Sequence, residues 1–264
     1  MATSDYHALQ LQFQRRLSKG LQALASYTWA HSIDDASTDF GFGASPPALD
    51  VNPETDRSSS DFDVRHAFNG AVTYNIPSPF AHGFGKAVLG DWAVDTIVTA
   101  RSATPVNVLV SSSANLSFGG SLALRPDVIP GVPLYIDDST VAGGRRFNPA
   151  ALTPGPTNRQ GTLPRNAFRG FRISQVDLAI RRQFELSERM RLQFRTEFFN
   201  ILNHPNFADP GNFQGNILSN ALFGQSTQML ASGLSNPGGG SGGFNPLYQI
   251  GGPRSIQLAL KLQF

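Results

Sequence analysis

The sequence predicts an all-β fold, a portion of an antiparallel up-and-down transmembrane β-barrel. About seven long strands with long extracellular loops are expected, the sheet being open because it is incomplete. Three observations predict this. Seven segments alternate apolar and polar residues with the period of two that sends successive side chains to opposite faces of a strand. The connections between them alternate in length, so that the long ones fall at one end. Only 15% of the 264 residues are charged, against about 25% in an average soluble domain, and no apolar run approaches the roughly 20 residues of a membrane-spanning helix.

The segments follow in order. Tyr6–Leu17 sets Leu9, Leu11 and Phe13 against Gln10, Gln12 and Gln14. Leu21–His31 sets Ala23, Ala25, Tyr27 and Trp29 against Gln22, Ser26 and Thr28, with Leu24 out of step. Val64–Ile76 sets Phe68, Val72, Tyr74 and Ile76 against Arg65, Asn69, Thr73 and Asn75. Asp91–Arg101 sets Trp92, Val94 and Val98 against Asp95, Thr99 and Arg101. Ser174–Phe184 sets Val176, Leu178, Ile180 and Phe184 against Gln175, Asp177, Arg181 and Gln183. Met190–Leu202 sets Leu192, Phe194 and Phe198 against Arg191, Gln193, Arg195 and Glu197. Arg254–Phe264 alternates without exception, Ile256, Leu258, Leu260, Leu262 and Phe264 against Ser255, Gln257, Ala259, Lys261 and Gln263. None of the 18 prolines falls inside these spans, as paired strands require.

The connections decide between a soluble sheet and a membrane one. They run short, long, medium, long, short, long: 18–20, 32–63, 77–90, 102–173, 185–189 and 203–253. Outer-membrane barrels have short periplasmic turns and long extracellular loops, and cross the bilayer with about 9–11 tilted residues per strand. The polar faces are too charged for a dry core but suit a wet lumen. Arg65, Asp95, Arg101, Asp177, Arg181, Arg191, Arg195, Glu197 and Lys261 are the candidates for it. Tyr27 and Trp29 at one end, and Tyr74, Trp92, Phe184 and Phe264 at the other, form two interfacial girdles. Arg15 and Arg182 break the apolar face close to short turns, where snorkelling lowers the cost to roughly 0–1 kcal/mol.

The terminal strand has the form of the insertion signal of such barrels, with Ile256, Leu258, Leu260, Leu262 and Phe264 as its residues. Its expected reader is the barrel-assembly machinery. The first residues, MATSDYHALQLQF, have neither a basic n-region nor an apolar h-region of a signal peptide. With the short turns periplasmic, the first strand starts outside. Complete barrels start in the periplasm with an even strand count, so the chain is expected to be one C-terminal barrel domain, 1–264, of a longer protein.

Residues 161–210, GTLPRNAFRGFRISQVDLAIRRQFELSERMRLQFRTEFFNILNHPNFADP, carry a family resemblance. Further stretches are YTWAH (27–31), DFDVRHAFN (61–69), SATP (102–105) and RPDVIP (125–130). Together with the last strand these resemble the C-terminal part of TonB-dependent outer-membrane receptors of the Oar-like kind. The resemblance implies uptake of a nutrient across the bacterial outer membrane, with the plug, the remaining strands and, through them, TonB as partners. Nothing in the sequence resembles that family's N-terminal regulatory-like domain, plug or TonB box.

Chemistry is sparse. With no Cys there is no disulfide, thiol nucleophile or thiolate metal site, and a net charge of +2 without a basic run argues against nucleic acid. Gly239–Gly243 (GGSGG) matches the nucleophile-elbow pattern formally, but inside a glycine run with no Asp or His after it. The five His residues show no metal-ligand spacing, and Arg145 with Arg146 reads as a solvated dibasic pair. No enzyme, cofactor or metal is expected. The segment from Ser32 to Asp63 holds eight of the 19 acids with Arg57 its only base. Asp34, Asp35, Asp39, Asp56 and Asp61 make it a candidate site for Ca²⁺, which takes about six to eight oxygens, or for a cationic ligand. A solvated loop is the plainer reading, and the spacing fits no EF-hand. The alternative to a transporter is a soluble all-β binding module for carbohydrate, its strands folded as a sandwich.

Overall fold

The computed structural model describes residues 3–37, 56–80, 82–110, 114–115, 121–122, 124–155, 159–187, 189–210, 215–235 and 250–264. Seven long strands form one sheet: β1 (Ser4–Ser18), β2 (Leu21–Asp34), β3 (His66–Asn75), β4 (Trp92–Arg101), β5 (Ile173–Glu185), β6 (Arg191–Phe199) and β7 (Ser255–Gln263). They lie in sequence order, each antiparallel to the next. β1 and β7 do not pair, so the sheet is open among the described residues. A single meander replaces the sandwich alternative, because among the described residues all the long strands belong to this one sheet.

The alternation read from the sequence sets the register. Directly opposed residues share a face, and Leu21, Tyr74, Val94, Ile180, Thr196 and Leu258 form one row across six strands. On the other face the matching row is Gln22, Thr73, Asp95, Ala179, Glu197 and Gln257. A slip of one residue at any ladder would mix the two. Leu24 lies on the polar face opposite Ala71, which in turn faces Ile97. The sixth strand is shorter than the alternation suggests. Asn200 takes a left-handed conformation (φ 49°) and ends it, although Ile201 and Leu202 continue the apolar pattern.

At one end the strands are joined tightly. Lys19 (φ 51°) and Gly20 (φ 80°) make the β1–β2 turn, the pair of positive φ angles that matches strand twist. A Cβ on Gly20 would lie 2.4 Å from the Asn75 carbonyl oxygen, so glycine is needed twice over. The β3–β4 connection carries a two-turn helix, α1 (Gly83–Leu89). The β5–β6 turn closes with the Leu186 N–H donating to the Met190 carbonyl at 3.0 Å.

At the opposite end the long connections fold on one another. Val106, Val108, Phe147, Ala151, Leu152, Leu163, Phe168 and Phe223 form a buried cluster drawn from two of these connections. Phe147 and Phe168 sit 4.4 Å apart between ring centroids. Gly224 (φ 73°) closes against the cluster where a Cβ would meet the Phe147 backbone nitrogen at 2.5 Å. Short ladders stiffen the layer, among them Tyr135–Asp137 with Arg145–Phe147 and Pro105–Val106 with Phe168–Arg169. This is the apolar core of the molecule. The apolar side of the strand wall is instead open: Leu258 and Leu260 are 67% and 68% exposed.

Candidate functional site

The polar face of β3–β6 carries a joined row of charges. Arg181 donates from Nε to Asp95 Oδ2 at 3.1 Å and from Nη2 to Asn75 Oδ1 at 3.1 Å. Arg195 reaches the same Asp95 oxygen at 3.5 Å and Glu197 Oε1 at 2.8 Å. Thr73 donates to Asp95 Oδ1 at 2.8 Å. The two arginines are direct cross-strand partners, and Asp95 between them offsets their repulsion. Every buried residue of β4 and β5, namely Ala93, Ile173, Gln175 and Ala179, lies on this face. Ala93 opposes Arg181, and Ala179 opposes both Asp95 and Glu197, so small side chains adjoin the long charged ones.

At the loop end of the sheet lies a second network, formed by stretches that the sequence reads as a solvated loop. The Arg165 side chain is fully buried. It bonds the Asp34 carboxylate, donates to the Asp34 carbonyl at 2.8 Å and to the Asp56 carbonyl at 3.0 Å, and lies 3.5 Å from Asp61. Arg125 holds Asp56 at 2.5 Å, both side chains being buried. Asp63 accepts from the Ser32 N–H at 2.8 Å, Arg169 at 2.7 Å and Arg65 at 3.0 Å, with His31 Nδ1 3.2 Å away. Burial pushes the Asp63 carboxyl up, but these donors outweigh it and lower it to about 2. Asp35 accepts both Thr3 donors, N–H and hydroxyl.

Four of the five candidate cation-site acids are therefore met from within the chain, Asp34, Asp56 and Asp61 by arginines and Asp35 by Thr3. Asp39 lies outside the described residues, as does the GGSGG run. No group of acids and histidines suited to a metal ion occurs among the described residues. The signal was in the sequence. Arg125, Arg165 and Arg169 sit in the RPDVIP and LPRNAFRGF stretches, and the acids they meet include those of DFDVRHAFN.

The FFNILNHPNF stretch also acquires a physical role. Asn200 is buried and donates from Nδ2 to the His204 and Gly252 carbonyls, each at 2.9 Å, while its N–H reaches Asp177 Oδ1 at 2.8 Å. Asn206 accepts from the Ser174 N–H at 2.9 Å and donates to its carbonyl at 3.1 Å. Amide side chains here continue the backbone ladder where β5, β6 and β7 end. Asp177, expected to face the lumen, shares that face but is engaged by Asn200 and by Gln175 at 2.8 Å. Arg65 stands one residue before β3, with its guanidinium on Asp63 and 3.1 Å from His31. By register Arg101, Arg191 and Lys261 share the face of Asp95 and Glu197. The dibasic pair is not solvated. Arg145 stacks over Tyr135 at 4.7 Å and bonds the Gly170 carbonyl at 2.7 Å, while Arg146 lies 3.8 Å from Asp138.

Comparison with known families decides what kind of wall this is. The profile of the outer membrane beta barrel domain family matches residues 1–249. The chain belongs to that family. No curated protein and no solved structure matches it. As an outer-membrane β-barrel domain it resides in the bacterial outer membrane, and its apolar face meets lipid. That face holds Ile256, Leu258 and Leu260, which oppose Phe198, Thr196 and Phe194, together with Leu262 opposite Leu192.

The lipid-facing arginine Arg182 pairs with Trp92 across β4–β5. Its guanidinium lies 5.2 Å from the Trp92 ring and 4.3 Å from that of Phe184, and it bonds the Ala87 carbonyl of α1. Stacking on two aromatic faces and a helix carbonyl makes a cation tolerable on the apolar side of a barrel. On the polar side, a cavity of about 310 Å³ opens at the loop end of β1–β3, lined by Tyr6, Gln10, Thr28, Ser32 and Phe62 among others.

Proposed function

We propose that the chain is the C-terminal barrel portion of a TonB-dependent, Oar-like receptor that takes up a nutrient across the outer membrane. The observation that carries this reading is the loop layer. A passive pore needs an open mouth, whereas here Arg125 and Arg169 bind the β4–β5 connection to Asp56 and Asp63 of the β2–β3 connection, and Arg165 binds it to Asp34 at the end of β2, all through buried carboxylates. A receptor that recognises a ligand before energised release is served by such a folded cap. The charged row Asp95–Arg181–Arg195–Glu197 then supplies a polar path below it. The stretches that resemble the Oar-like family coincide with these structural ties. Both unpaired sheet edges, β1 and β7, suit further strands of the same barrel, since an unpaired edge in hydrocarbon is costly. The plug, TonB, the assembly machinery and the nutrient are the partners this reading implies.

Growth phenotypes test it. Deleting the gene and deleting the TonB gene should impair growth on the same limiting nutrient, with no further loss in the double deletion. A purified protein that conducts ions steadily as an open pore in planar bilayers would overturn the proposal.

A further inference from the structure

The β3–β4 connection presents an apolar surface that the barrel wall does not use. On α1 and just before it, Phe84 is 85% exposed and Phe80, Val88 and Leu89 are exposed as well. Seven residues of helix do not bury any side chain. A turn in open periplasm has no reason to show four large apolar residues to water.

Two contacts fix where this surface lies. The Trp92 indole N–H donates to the Val88 carbonyl at 3.1 Å. Arg182 bonds the Ala87 carbonyl while stacking on Trp92 and Phe184. Trp92, Arg182, Phe194 and Leu260 form one cross-strand row of the lipid-facing side. The helix is thus tied through its carbonyls to the lipid-facing row at the start of β4, and its apolar residues continue the surface that meets the membrane. Its charge suits phospholipid phosphates. Lys86 is the helix's one charged residue, and the lipid-facing side carries Arg15 and Arg182 at this end.

We propose that α1 is an interfacial anchor, seated in the inner-leaflet phospholipid of the outer membrane. Phe84 and Val88 enter the acyl boundary, and Lys86 with Arg182 lies at phosphate level. A short helix lying in the membrane plane with aromatic residues inward and cations outward has the required character. It sets the depth of the wall at β3–β5, whereas the β1–β2 turn with Lys19 stays in water.

The chain has no cysteine, so single-cysteine labels report this directly. Phe84→Cys, Val88→Cys and Lys19→Cys forms of the intact protein are labelled with an environment-sensitive fluorophore. They are inserted into phosphatidylethanolamine–phosphatidylglycerol vesicles. The labels at 84 and 88 should shift to the blue, lose quenching by aqueous iodide, and be quenched by spin labels placed near the headgroup. The label at 19 should remain open to iodide. If Phe84→Cys fails to assemble, Val88→Cys carries the same test. Iodide quenching at 84 and 88 equal to that at 19 would overturn the proposal. So would shielding that grows only with protein-to-lipid ratio, which would assign the surface to a second copy. Membership of the barrel family would survive either failure, since it rests on the sequence match.

Discussion

The strand wall and the loop layer are held by different means. In β7 the apolar residues Ile256, Leu258, Leu260 and Leu262 are all exposed, and their burial is supplied by lipid. In the loop layer Phe147, Phe168 and Leu163 are buried by the chain itself, and Arg165 and Arg125 are buried with their carboxylates. The wall is one sheet whose order comes from ladder hydrogen bonds, with side chains sorted by face. The layer is a small globular fold built from irregular connections. This difference predicts that the cap can be lost without the wall, whereas losing the membrane removes the environment that covers the wall's apolar side.

The largest test of that separation is Arg165→Ala. It leaves Asp34 buried without its partner, and breaking a buried pair costs about 3–5 kcal/mol. Limited proteolysis of membrane fractions should then cleave the long connections, while heat-modifiable mobility on gels persists. Loss of the heat-modifiable form would show that wall and layer fold as one unit.

Phe168→Ala sharpens the comparison from the apolar side. Removing a fully buried ring from the loop core costs about 3–5 kcal/mol, with the same protease readout expected. Leu260→Ala in the wall should barely alter assembly, because lipid chains fill the space left behind.

Next in size, Leu258→Arg places a charge in the middle of β7 on the lipid face, at a cost of about 2–4 kcal/mol near the midplane. Assembled barrel should fall while the loop layer is not directly touched. Deletion of Phe264, which is nearly fully exposed, should reduce assembly more than its burial explains if it is read during insertion. Normal heat-modifiable levels in both variants would remove the terminal strand's assigned role.

Acid separates the regions by titration. The Asp63 carboxyl is lowered from 3.8 to about 2, so its contribution is present above pH 3.8 and is lost as pH falls towards 2. Protease sensitivity of the loops should rise across that window in the wild type and change less in Asp63→Asn. Equal acid responses in the two would mean that Asp63 does not govern the mouth.

The smallest effect is expected from Lys261→Gln on the water-facing side of the edge strand, within about 0.5 kcal/mol. A clear drop in assembled protein would mean that this position does not face water.

Much of the wall was legible because a period of two is a local property. Each of the seven segments carries its own face assignment, and loop lengths alone placed the long connections together. The ends were harder. Whether β6 stops at Phe199 depends on Asn200, whose side chain finds the His204 and Gly252 carbonyls. Nothing in the alternation of Ile201 and Leu202 reports such partners.

The mouth shows the limit most clearly. From the sequence, the acids between Ser32 and Asp63 read as a solvated loop, with Asp34, Asp35, Asp39, Asp56 and Asp61 as a candidate cation site. The fold brings Arg125, Arg165 and Arg169 to them from roughly a hundred residues away in the chain, as the separations of 69, 131 and 106 positions attest. Composition and periodicity count charges and order them along a line; they carry no information on which distant residues meet. The sequence by itself determined an antiparallel wall with one apolar and one polar face, since side-chain direction in a strand follows from position parity. Only the tertiary structure decided that the long connections bury a core and neutralise their own acids. That outcome depends on non-local packing and on the exclusion of water from paired charges.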